Sequence, residues 1–347
     1  MSKHQTDAPT VPKVLAWATN PACALYRLQA PLGLLARNGS IELNLVTTFD
    51  QATFERVIEW ADTFIIQRAR VDDTLADVIA KAKQQGVRVI YEIDDDLLAL
   101  ADTPTLCHRM SSEDLHQIER GLRETDAIHV STDHLARRYA QFGETVLLPN
   151  YFPLDIPPLR PPSATMPMLK VFYGGGSWHE PDWKRIEEPL HLALREVANT
   201  TPIEVRLMGA TWSVPASDER LSYHVLPPAP WPHYLEEMGQ ADLALMPVDD
   251  NPHTAGKSPI KFYEAAAMGA PALALGRVYS QVIEQGRTGF CAETPEEFAR
   301  SATEILSSPE LRAQLRAAAH RWLVDHALLA DNLSTWREAL TYTRATW

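Results

Sequence analysis

The stretch TFIIQRARVDDTLADVIAKAKQQGVRVIYEI, residues 63–93, holds a complete strand–helix–strand unit. Thr63–Gln67 and Val87–Ile93 are short apolar runs that predict buried strands, and Thr74–Gln85 between them has the apolar spacing of an amphipathic helix. Strands that alternate with helices in this way predict a parallel sheet with helices on its faces. The unit therefore indicates an α/β fold.

The same alternation continues on both sides of this unit. In the first half we predict further strands at Lys13–Ala18, Ile41–Val46, Ala127–Ser131 and Thr145–Pro149. We predict further helices there at Tyr26–Arg37 and His134–Phe142. In the second half the predicted strands are Leu169–Gly175, Ile203–Gly209, Leu221–Leu226, Ala241–Val248, Pro271–Gly276 and Thr288–Ala292. The predicted helices there are Trp183–Ala198, Pro232–Met238, Pro259–Met268 and Glu296–Leu306, with a tail that is helical from Pro309 to Trp347. The architecture occurs twice, which predicts two similar parallel sheets.

A proline-rich segment separates the two halves. PLDIPPLRPPSATMPM, residues 153–168, holds six prolines, which fix φ and remove backbone donors, so we predict an extended linker. A length of 347 residues also favours two domains. We place their boundary between residues 158 and 159. Because ligands bind at the carboxyl ends of strands in open parallel sheets, a cleft between the domains is the expected site.

Composition excludes several classes of protein. The 32 Lys and Arg residues against 45 Asp and Glu give a net charge of −13, which disfavours a nucleic-acid partner because phosphate neutralisation needs clustered cations. Cys23, Cys107 and Cys291 lie too far apart for a disulfide scaffold or a cysteine-based zinc site. No signal peptide or membrane-spanning run is recognisable, so we expect a soluble, cytoplasmic protein.

The strongest local signal is NPHTAGKSPIKFYEAAAMGAP, residues 251–271. Ser258 followed by Pro259 predicts a helix start, with a hydroxyl N-cap and proline at the first helical position. Lys257, Lys261 and Glu264 share one stripe at that start. Two cations at a helix N-terminus suit a diphosphate, and a carboxylate one turn deeper suits ribose hydroxyls. The alternative is a well-capped surface helix with a Lys–Glu pair.

A second signal is VFYGGGSWHEPDW, residues 171–183. A strand that runs into Gly175, Gly176 and Ser177 brings backbone N–H groups close to a ligand, as phosphate-binding loops do. His179 follows and could contact a phosphate or a sugar. The alternatives are a plain turn and a surface histidine.

Three adjacent carboxylates, Asp94, Asp95 and Asp96, leave the end of a predicted strand. Because they repel one another, they point to a metal, to sugar hydroxyls or to base catalysis, unless they form a helix N-terminal cluster. Arg27 is predicted to face the cleft, with a surface cation as the alternative. Trp231 and Tyr234 are candidates for stacking on a nucleobase, although core packing is the commoner use of an aromatic ring.

Four stretches in order resemble a GT-B glycosyltransferase of the family 4 type, within the bacterial group that makes surface or capsular polysaccharide. They are ALYRLQAPLGLLARNG, VIYEIDDDL, VLLPNYF and KSPIKFYEAAAMGAPALA. The resemblance implies two Rossmann-like domains with a cleft between them, the second of which, residues 159–325, holds a nucleotide-diphosphate sugar. It also implies that residues 326–347 form a helix that packs back on the first domain, and that the reaction is a retaining transfer to an acceptor hydroxyl.

The family's motif has two glutamates separated by seven residues, the second of which binds the ribose. Glu264 matches the second position, whereas Gly256 stands at the first, and Lys257 or His253 are candidates to compensate. Lys184 or Lys261 could supply the diphosphate cation, and Asp94 stands where relatives carry a histidine. The predicted site has catalytic Asp94 and Asp95, donor-binding Gly175, Gly176, Ser177, His179, Lys257, Ser258, Lys261 and Glu264, and acceptor-side Arg27 and Asp96, with no metal and no tightly bound cofactor.

The expected partners are a nucleotide-sugar donor and a carbohydrate, lipid-linked or protein acceptor. A lipid-linked acceptor would add peripheral association with the inner face of the membrane. Two alternatives stay open at this stage. One is a non-catalytic nucleotide-sugar-binding protein or partner subunit, which the glycine at position 256 favours. The other is a nucleotide-sugar epimerase on the same fold.

Overall fold

A computed structural model describes residues 11–159 and 168–341 of the chain. Residues 160–167 of the predicted linker and 342–347 of the predicted tail lie outside this part. The first sheet has six parallel strands: β1 (Lys13–Trp17), β2 (Glu42–Val46), β3 (Thr63–Gln67), β4 (Arg88–Ile93), β5 (Ala127–Val130) and β6 (Thr145–Leu147). The second has six more: β7 (Leu169–Gly174), β8 (Ile203–Met208), β9 (Leu221–Leu226), β10 (Leu243–Pro247), β11 (Ala272–Leu275) and β12 (Phe290–Ala292).

Helices follow most strands. In the first half they are α1 (Pro21–Ala24), α2 (Ala30–Arg37), α3 (Gln51–Ile58), α4 (Asp73–Gln84), α5 (Ser112–Glu124) and α6 (Asp133–Tyr139), with a π-helical turn at Leu25–Gln29 between α1 and α2. In the second half they are α7 (Glu180–Ala198), α8 (Trp231–Gly239), α9 (Ile260–Met268), α10 (Arg277–Ser280), α11 (Pro295–Ser307), α12 (Pro309–His326) and α13 (Leu333–Thr341). Helices α3 and α5 were not among the predicted elements.

The strands pair in the orders β2-β1-β3-β4-β5-β6 and β12-β11-β10-β7-β8-β9. All pairs are parallel, and every predicted strand lies within two residues of the observed limits. This agreement has a physical reason, since a parallel strand covered on both faces is a nearly continuous apolar run. The predicted α/β class with two parallel-sheet domains is confirmed.

The predicted continuous helical tail is wrong. Helix α12 ends at His326, and the chain then extends so that Leu328 forms a β-bridge with Phe152. The Phe152 N–H donates to the carbonyl of Ala327 at 2.8 Å, and the Leu329 N–H donates to the carbonyl of Phe152 at 3.0 Å. The chain has to leave the helix here because it crosses back to the first domain.

Helix α13 completes the first domain. Its Trp336 and Leu340 belong to the same buried cluster as Leu32 and Leu35 of α2, on one face of the first sheet. The Arg88 guanidinium donates to the carbonyl of Ala339 at 2.8 Å. The predicted helix that packs back on the first domain is therefore present. Within residues 11–159 and 168–341, no helix has the length and apolar character needed to span a bilayer.

Candidate active site

Each sheet reverses its strand order once, between β1 and β3 in the first and between β7 and β10 in the second. Crevices at the carboxyl ends of such strands are the usual ligand sites of open parallel sheets. Here the two crevices face each other, because loops from one domain contact loops from the other. The Arg109 guanidinium donates to the carbonyl of Ser177 at 3.0 Å, and His253 Nδ1 lies 2.9 Å from the carbonyl oxygen of Asp96.

Arg68, directly after β3, binds two of the predicted carboxylates. Its Nη1 lies 3.0 Å from Asp94 Oδ1 and 3.1 Å from Asp95 Oδ2. Arg68 also has φ +48°, in the left-handed region that costs a non-glycine residue free energy. Sequence reasoning missed this arginine. The signal that could have found it is an arginine directly after an apolar strand that neighbours the Asp94–Asp95 strand.

Asp95 also bonds across the domain boundary. Its Oδ1 lies 3.4 Å from Lys257 Nζ. Burial alone would raise the pKa of Asp95, but Lys257, Arg68 and His253 together hold that pKa well below its usual value. Asp95 is therefore a carboxylate at neutral pH and suits the stabilisation of positive charge. In the described part of the chain, no three His, Cys, Asp or Glu side chains group so as to hold a metal ion.

Asp96 does not face an acceptor, contrary to the prediction. Its side chain is 2 % exposed, and its Oδ1 accepts from the Tyr139 hydroxyl at 3.1 Å and from the Ala99 N–H at 3.1 Å. Its Oδ2 lies 3.3 Å from Nε of Arg138. These bonds hold the short turn after β4 in place, so Asp96 has a structural role in the first domain.

Arg27 is neither a cleft residue nor a surface cation. It is fully buried, its Nε lies 2.6 Å from Glu92 Oε1, and its guanidinium lies over the Trp336 ring at 5.1 Å. Its Nη1 donates to Asn150 Oδ1 at 3.0 Å. The prediction was wrong because Glu92, the last residue but one of β4, provides a buried partner for the arginine.

The glycine loop after β7 lies beneath Arg109. The Gly175 N–H is already used, because it donates to the carbonyl of Met208 at 3.0 Å, and Ser177 begins a short turn. His179 is mostly buried, with 17 % of its side chain exposed, and its Nδ1 lies 2.8 Å from Asp182 Oδ2. Burial, with a contribution from nearby Lys261, lowers the pKa of His179 to about 4. The imidazole is therefore neutral at pH 7.

Helix α9 begins at Ile260, one residue later than predicted, with Pro259 at the N-cap. Ser258 makes no cap hydrogen bond there. Its hydroxyl accepts from Asn150 Nδ2 at 2.7 Å instead, so it joins the two domains. Since Asn150 also accepts from Arg27, the first domain supports the start of α9 through this amide.

Lys261 lies in the first turn of α9, whereas Lys184 forms a surface pair with Glu180 at 2.8 Å. The Lys261 Nζ is buried without a hydrogen-bond partner among the described residues, 5.6 Å from the centre of the Tyr173 ring. Burial lowers the pKa of Lys261 to about 8. An anion at the start of α9 would supply the missing partner.

We expect the affinity for a nucleoside diphosphate to fall as the pH rises above about 8. Lys261 is charged below its pKa of about 8, and a bound diphosphate would raise that pKa, so binding above pH 8 requires proton uptake. The dissociation constant should rise by up to about tenfold per pH unit. Calorimetry between pH 7 and 9 measures it. Lys261→Met is the control: it should bind the nucleotide more weakly, and its affinity should lack the fall above pH 8 that Lys261 causes. Parallel pH profiles for the two proteins would contradict the prediction.

Glu264 is 4 % exposed and lies one turn further along α9. Its Oε1 accepts from the Tyr26 hydroxyl at 2.6 Å and from the Trp231 indole N–H at 2.8 Å. Burial raises the pKa of Glu264, and these two bonds oppose that rise. Trp231 thus binds the carboxylate, and Tyr234 packs edge-on against Phe172 at 5.5 Å. Tyr26 was not predicted, since 238 residues separate it from Glu264.

Gly256, where the family's first glutamate is expected, has no room for a side chain. A Cβ there would lie 2.8 Å from Leu135 Cδ2 and 3.1 Å from both the Cβ and the backbone N of Asp96. The Thr132 hydroxyl also donates to the carbonyl of Gly256 at 3.1 Å. The loop before α9 therefore approaches the first domain at backbone distance, which only glycine permits.

We expect Gly256→Ala to lower the free energy of unfolding by about 1–3 kcal/mol, because the added methyl group overpacks the domain contact. Urea denaturation measures this change. Gly143→Ala is the matched control, since a Cβ there meets its nearest atom at 3.8 Å and should leave stability nearly unchanged. Equal stability of the two variants would show that the domains do not meet at this glycine.

A cleft of about 770 Å3 opens on the other side of the loop that precedes α9. Its walls include Thr132, Arg137 and Asn150 of the first domain and Ser258 and Arg277 of the second. Lys257 lines this cleft and also a small pocket beside His179 and Asp182. Lys257 therefore lies between the glycine loop and the open cleft.

Two parallel-sheet domains, a cleft and a final helix that returns to the first domain define the GT-B fold. A family model described as "Glycosyl transferase-like" matches residues 185–337, which include α9. No curated protein matches the sequence.

Solved structures share the fold at low sequence identity. HepE of Anabaena, solved with UDP and glucose, has a TM-score of 0.63 and 13% identity over 95% of this chain and 99% of its own. Sucrose-phosphate synthase of Thermosynechococcus elongatus has a TM-score of 0.64 and 13% identity, with 95% and 99% covered. A putative UDP-N-acetylglucosamine 2-epimerase of Listeria monocytogenes has a TM-score of 0.57 and 14% identity, with 96% and 98% covered.

Proposed function

We propose that this protein is a retaining glycosyltransferase that moves a sugar from a nucleotide-diphosphate sugar to an acceptor hydroxyl, in polysaccharide or glycoconjugate biosynthesis. The observation that carries the proposal is the contact of Lys257, in the loop before α9, with Asp95 of the other domain, beside the buried Lys261 in the first turn of that helix. The glycosyl transferase-like match over this helix supports it, as does the presence of UDP and glucose in the HepE structure of the same fold.

In the proposed reaction the bond between the sugar C1 and the β-phosphate oxygen breaks, a bond from C1 to the acceptor oxygen forms, and the proton of the acceptor hydroxyl passes to the departing diphosphate. The departing diphosphate gains negative charge, which Lys257, Lys261 and the N-terminus of α9 would stabilise. The sugar passes through an oxocarbenium-like state with positive charge, which the ionised Asp95 and its neighbour Asp94 would stabilise. Arg68 and Lys257 fix the position of Asp95 before the reaction.

We assign the donor to the domain of residues 159–325 and the acceptor to residues 1–158, with 326–347 as the segment that returns to the first domain. The acceptor would enter through the 770 Å3 cleft, whose size is in the usual range for small-ligand sites. Hydroxyl, amide and cationic groups of Thr132, Asn150 and Arg137 line it, which suits a polyhydroxylated molecule. Lys257 lies where that cleft meets the donor side.

A second candidate is a non-catalytic nucleotide-sugar-binding protein. The close packing of Gly256 favours it, because the position of the family's first glutamate is filled by the first domain. A nucleotide-sugar epimerase is the third candidate, because the putative UDP-N-acetylglucosamine 2-epimerase of Listeria monocytogenes has a similar fold.

The test is incubation of the purified protein with a panel of UDP-, GDP-, ADP- and TDP-sugars and mixed sugar acceptors. A transferase releases free nucleoside diphosphate and forms a glycoside whose anomeric configuration matches that of the donor. Calorimetric binding without turnover would favour the binding protein. Conversion of one nucleotide-sugar to its epimer without release of diphosphate would favour the epimerase.

A further inference from the structure

A series of hydrogen bonds connects the interior of the first domain to the wall of the open cleft. Arg27 is fully buried, and its Nη1 donates to Asn150 Oδ1 at 3.0 Å. Asn150 is 4 % exposed, and its Nδ2 lies 2.7 Å from the hydroxyl oxygen of Ser258 in the second domain. Asn150 and Ser258 both line the cleft of about 770 Å3. This series, the Arg27–Asn150–Ser258 relay, therefore ends at a surface that a ligand can reach.

The chemistry of the three groups fixes the direction of each hydrogen bond in the relay. A guanidinium can only donate, so the atom of Asn150 that faces Arg27 is the carbonyl oxygen. The NH2 group of the same amide then faces Ser258, and the serine oxygen accepts from it. Among the described residues, the Ser258 hydroxyl has no acceptor for its own proton. That proton is left for a ligand in the cleft.

The surroundings of the Ser258 hydroxyl favour an anionic ligand. Lys257, the preceding residue, lines the same cleft, and α9 begins two residues after Ser258 with the partial positive charge of a helix N-terminus. Two carboxylates also line the cleft. Asp250 already accepts from the Arg277 N–H at 2.8 Å, and Asp133 lies in α6 on the wall of the first domain. A phosphate oxygen beside Lys257 would accept the free proton of the serine.

We propose that Arg27 and Asn150 are positioning residues, which direct the hydroxyl proton of Ser258 to a phosphate oxygen of the nucleotide-diphosphate sugar. The proposal rests on the proposed function, since it takes the diphosphate to lie beside Lys257 at the start of α9. The relay exists in the closed arrangement of the domains, in which Lys257 also contacts Asp95. The first domain thereby strengthens donor binding by orienting a hydroxyl of the second.

The substitution Asn150→Asp reverses the last hydrogen bond of the relay at nearly constant shape. The new carboxylate still accepts from Arg27, but it also accepts from Ser258, whose proton is then used inside the protein. Calorimetry of the wild type with UDP, GDP, ADP and TDP identifies the nucleotide that binds best. We expect Asn150→Asp and Ser258→Ala each to bind it about tenfold more weakly, because each removes one hydrogen bond to a charged group. Ser258→Thr keeps the hydroxyl and should bind within about threefold of the wild type.

The matched control is Asn150→Asp in the Ser258→Ala background. It adds the same negative charge where no hydroxyl can be turned, so the further loss of affinity should be less than about threefold. Equal losses from Asn150→Asp in both backgrounds would show an effect of charge alone and would refute the relay. Wild-type affinity of Ser258→Ala refutes it as well, and this outcome does not depend on the folding of the buried Asn150 variant.

Inorganic pyrophosphate, titrated into the wild type and Ser258→Ala, tests the assignment of the proton to a phosphate. The variant should bind it more weakly, and an affinity that ignores the substitution, or no binding by the wild type, contradicts the assignment. If the wild type binds a nucleotide and none of the variants differs from it, the relay is wrong and the proposed function stands. If the wild type binds none of the four nucleotides, the proposed function fails and the relay with it.

Discussion

Glu264→Ala is expected to weaken nucleoside diphosphate binding by about 30-fold, which corresponds to the roughly 2 kcal/mol of hydrogen bonds to a charged group. Asp95→Ala should change the same dissociation constant by less than about threefold. The reason is that Glu264 lies in α9 beside Lys261, whereas Asp95 belongs to the first domain and faces the donor only through Lys257. Calorimetric titration of both variants with the same nucleotide measures the difference.

The two substitutions should have the reverse order in catalysis. Asp95→Ala removes a carboxylate that the proposed mechanism needs in the transition state, so it should lower kcat more than it changes nucleotide affinity. Equal or inverted effects on affinity would overturn the division of donor and acceptor between the two domains. Thermal unfolding of each variant shows whether the fold has been kept.

Arg27→Ala is expected to lower the free energy of unfolding by about 3–5 kcal/mol. The substitution leaves Glu92 ionised or neutral in a fully buried position without its 2.6 Å partner, and it removes the bond to Asn150. Burial raises the pKa of Glu92 even with the arginine present, which shows how unfavourable the isolated carboxylate is. Urea denaturation measures the loss.

The double variant Arg27→Met with Glu92→Leu is the control for this pair. Replacing both partners of a buried ion pair by apolar side chains is often nearly neutral, so the double variant should be more stable than Arg27→Ala. A stability loss below 1 kcal/mol for Arg27→Ala, together with weaker acceptor binding, would restore the earlier view of Arg27 as a cleft residue.

The strands of both sheets could be predicted from the sequence, because each buried strand, such as TFIIQ at Thr63–Gln67, is a short apolar run between polar residues. Helix limits were less certain. Ser258 has the chemistry of an N-cap, yet its hydroxyl bonds to Asn150, which is 108 residues away in sequence. The local preference of serine predicted a hydrogen bond to the backbone at the start of α9, but the contact between the domains gives its hydroxyl Asn150 as a partner instead.

The site was harder to predict because its pairs depend on strand order. Asp94 and Arg68 meet only because β3 and β4 are neighbours, and the bond also needs a left-handed backbone at the arginine, which no spacing reveals. Tyr26 and Glu264 depend in addition on how the domains close. Arg27 was wrongly predicted to face the cleft, although the sequence held a sign of its burial. Glu92 lies inside the buried strand VIYEI, and a buried carboxylate needs a cation as its partner.

The return of α13 to the first domain has a consequence for synthesis on the ribosome. Leu32 and Leu35 of α2 are covered by Trp336 and Leu340, which are made some 300 residues later at a rate of about 5–20 residues per second. For that period, roughly 15–60 seconds, the first domain emerges with an apolar stripe uncovered. The nascent chain is thus a natural client for chaperones that shield such stripes until translation ends.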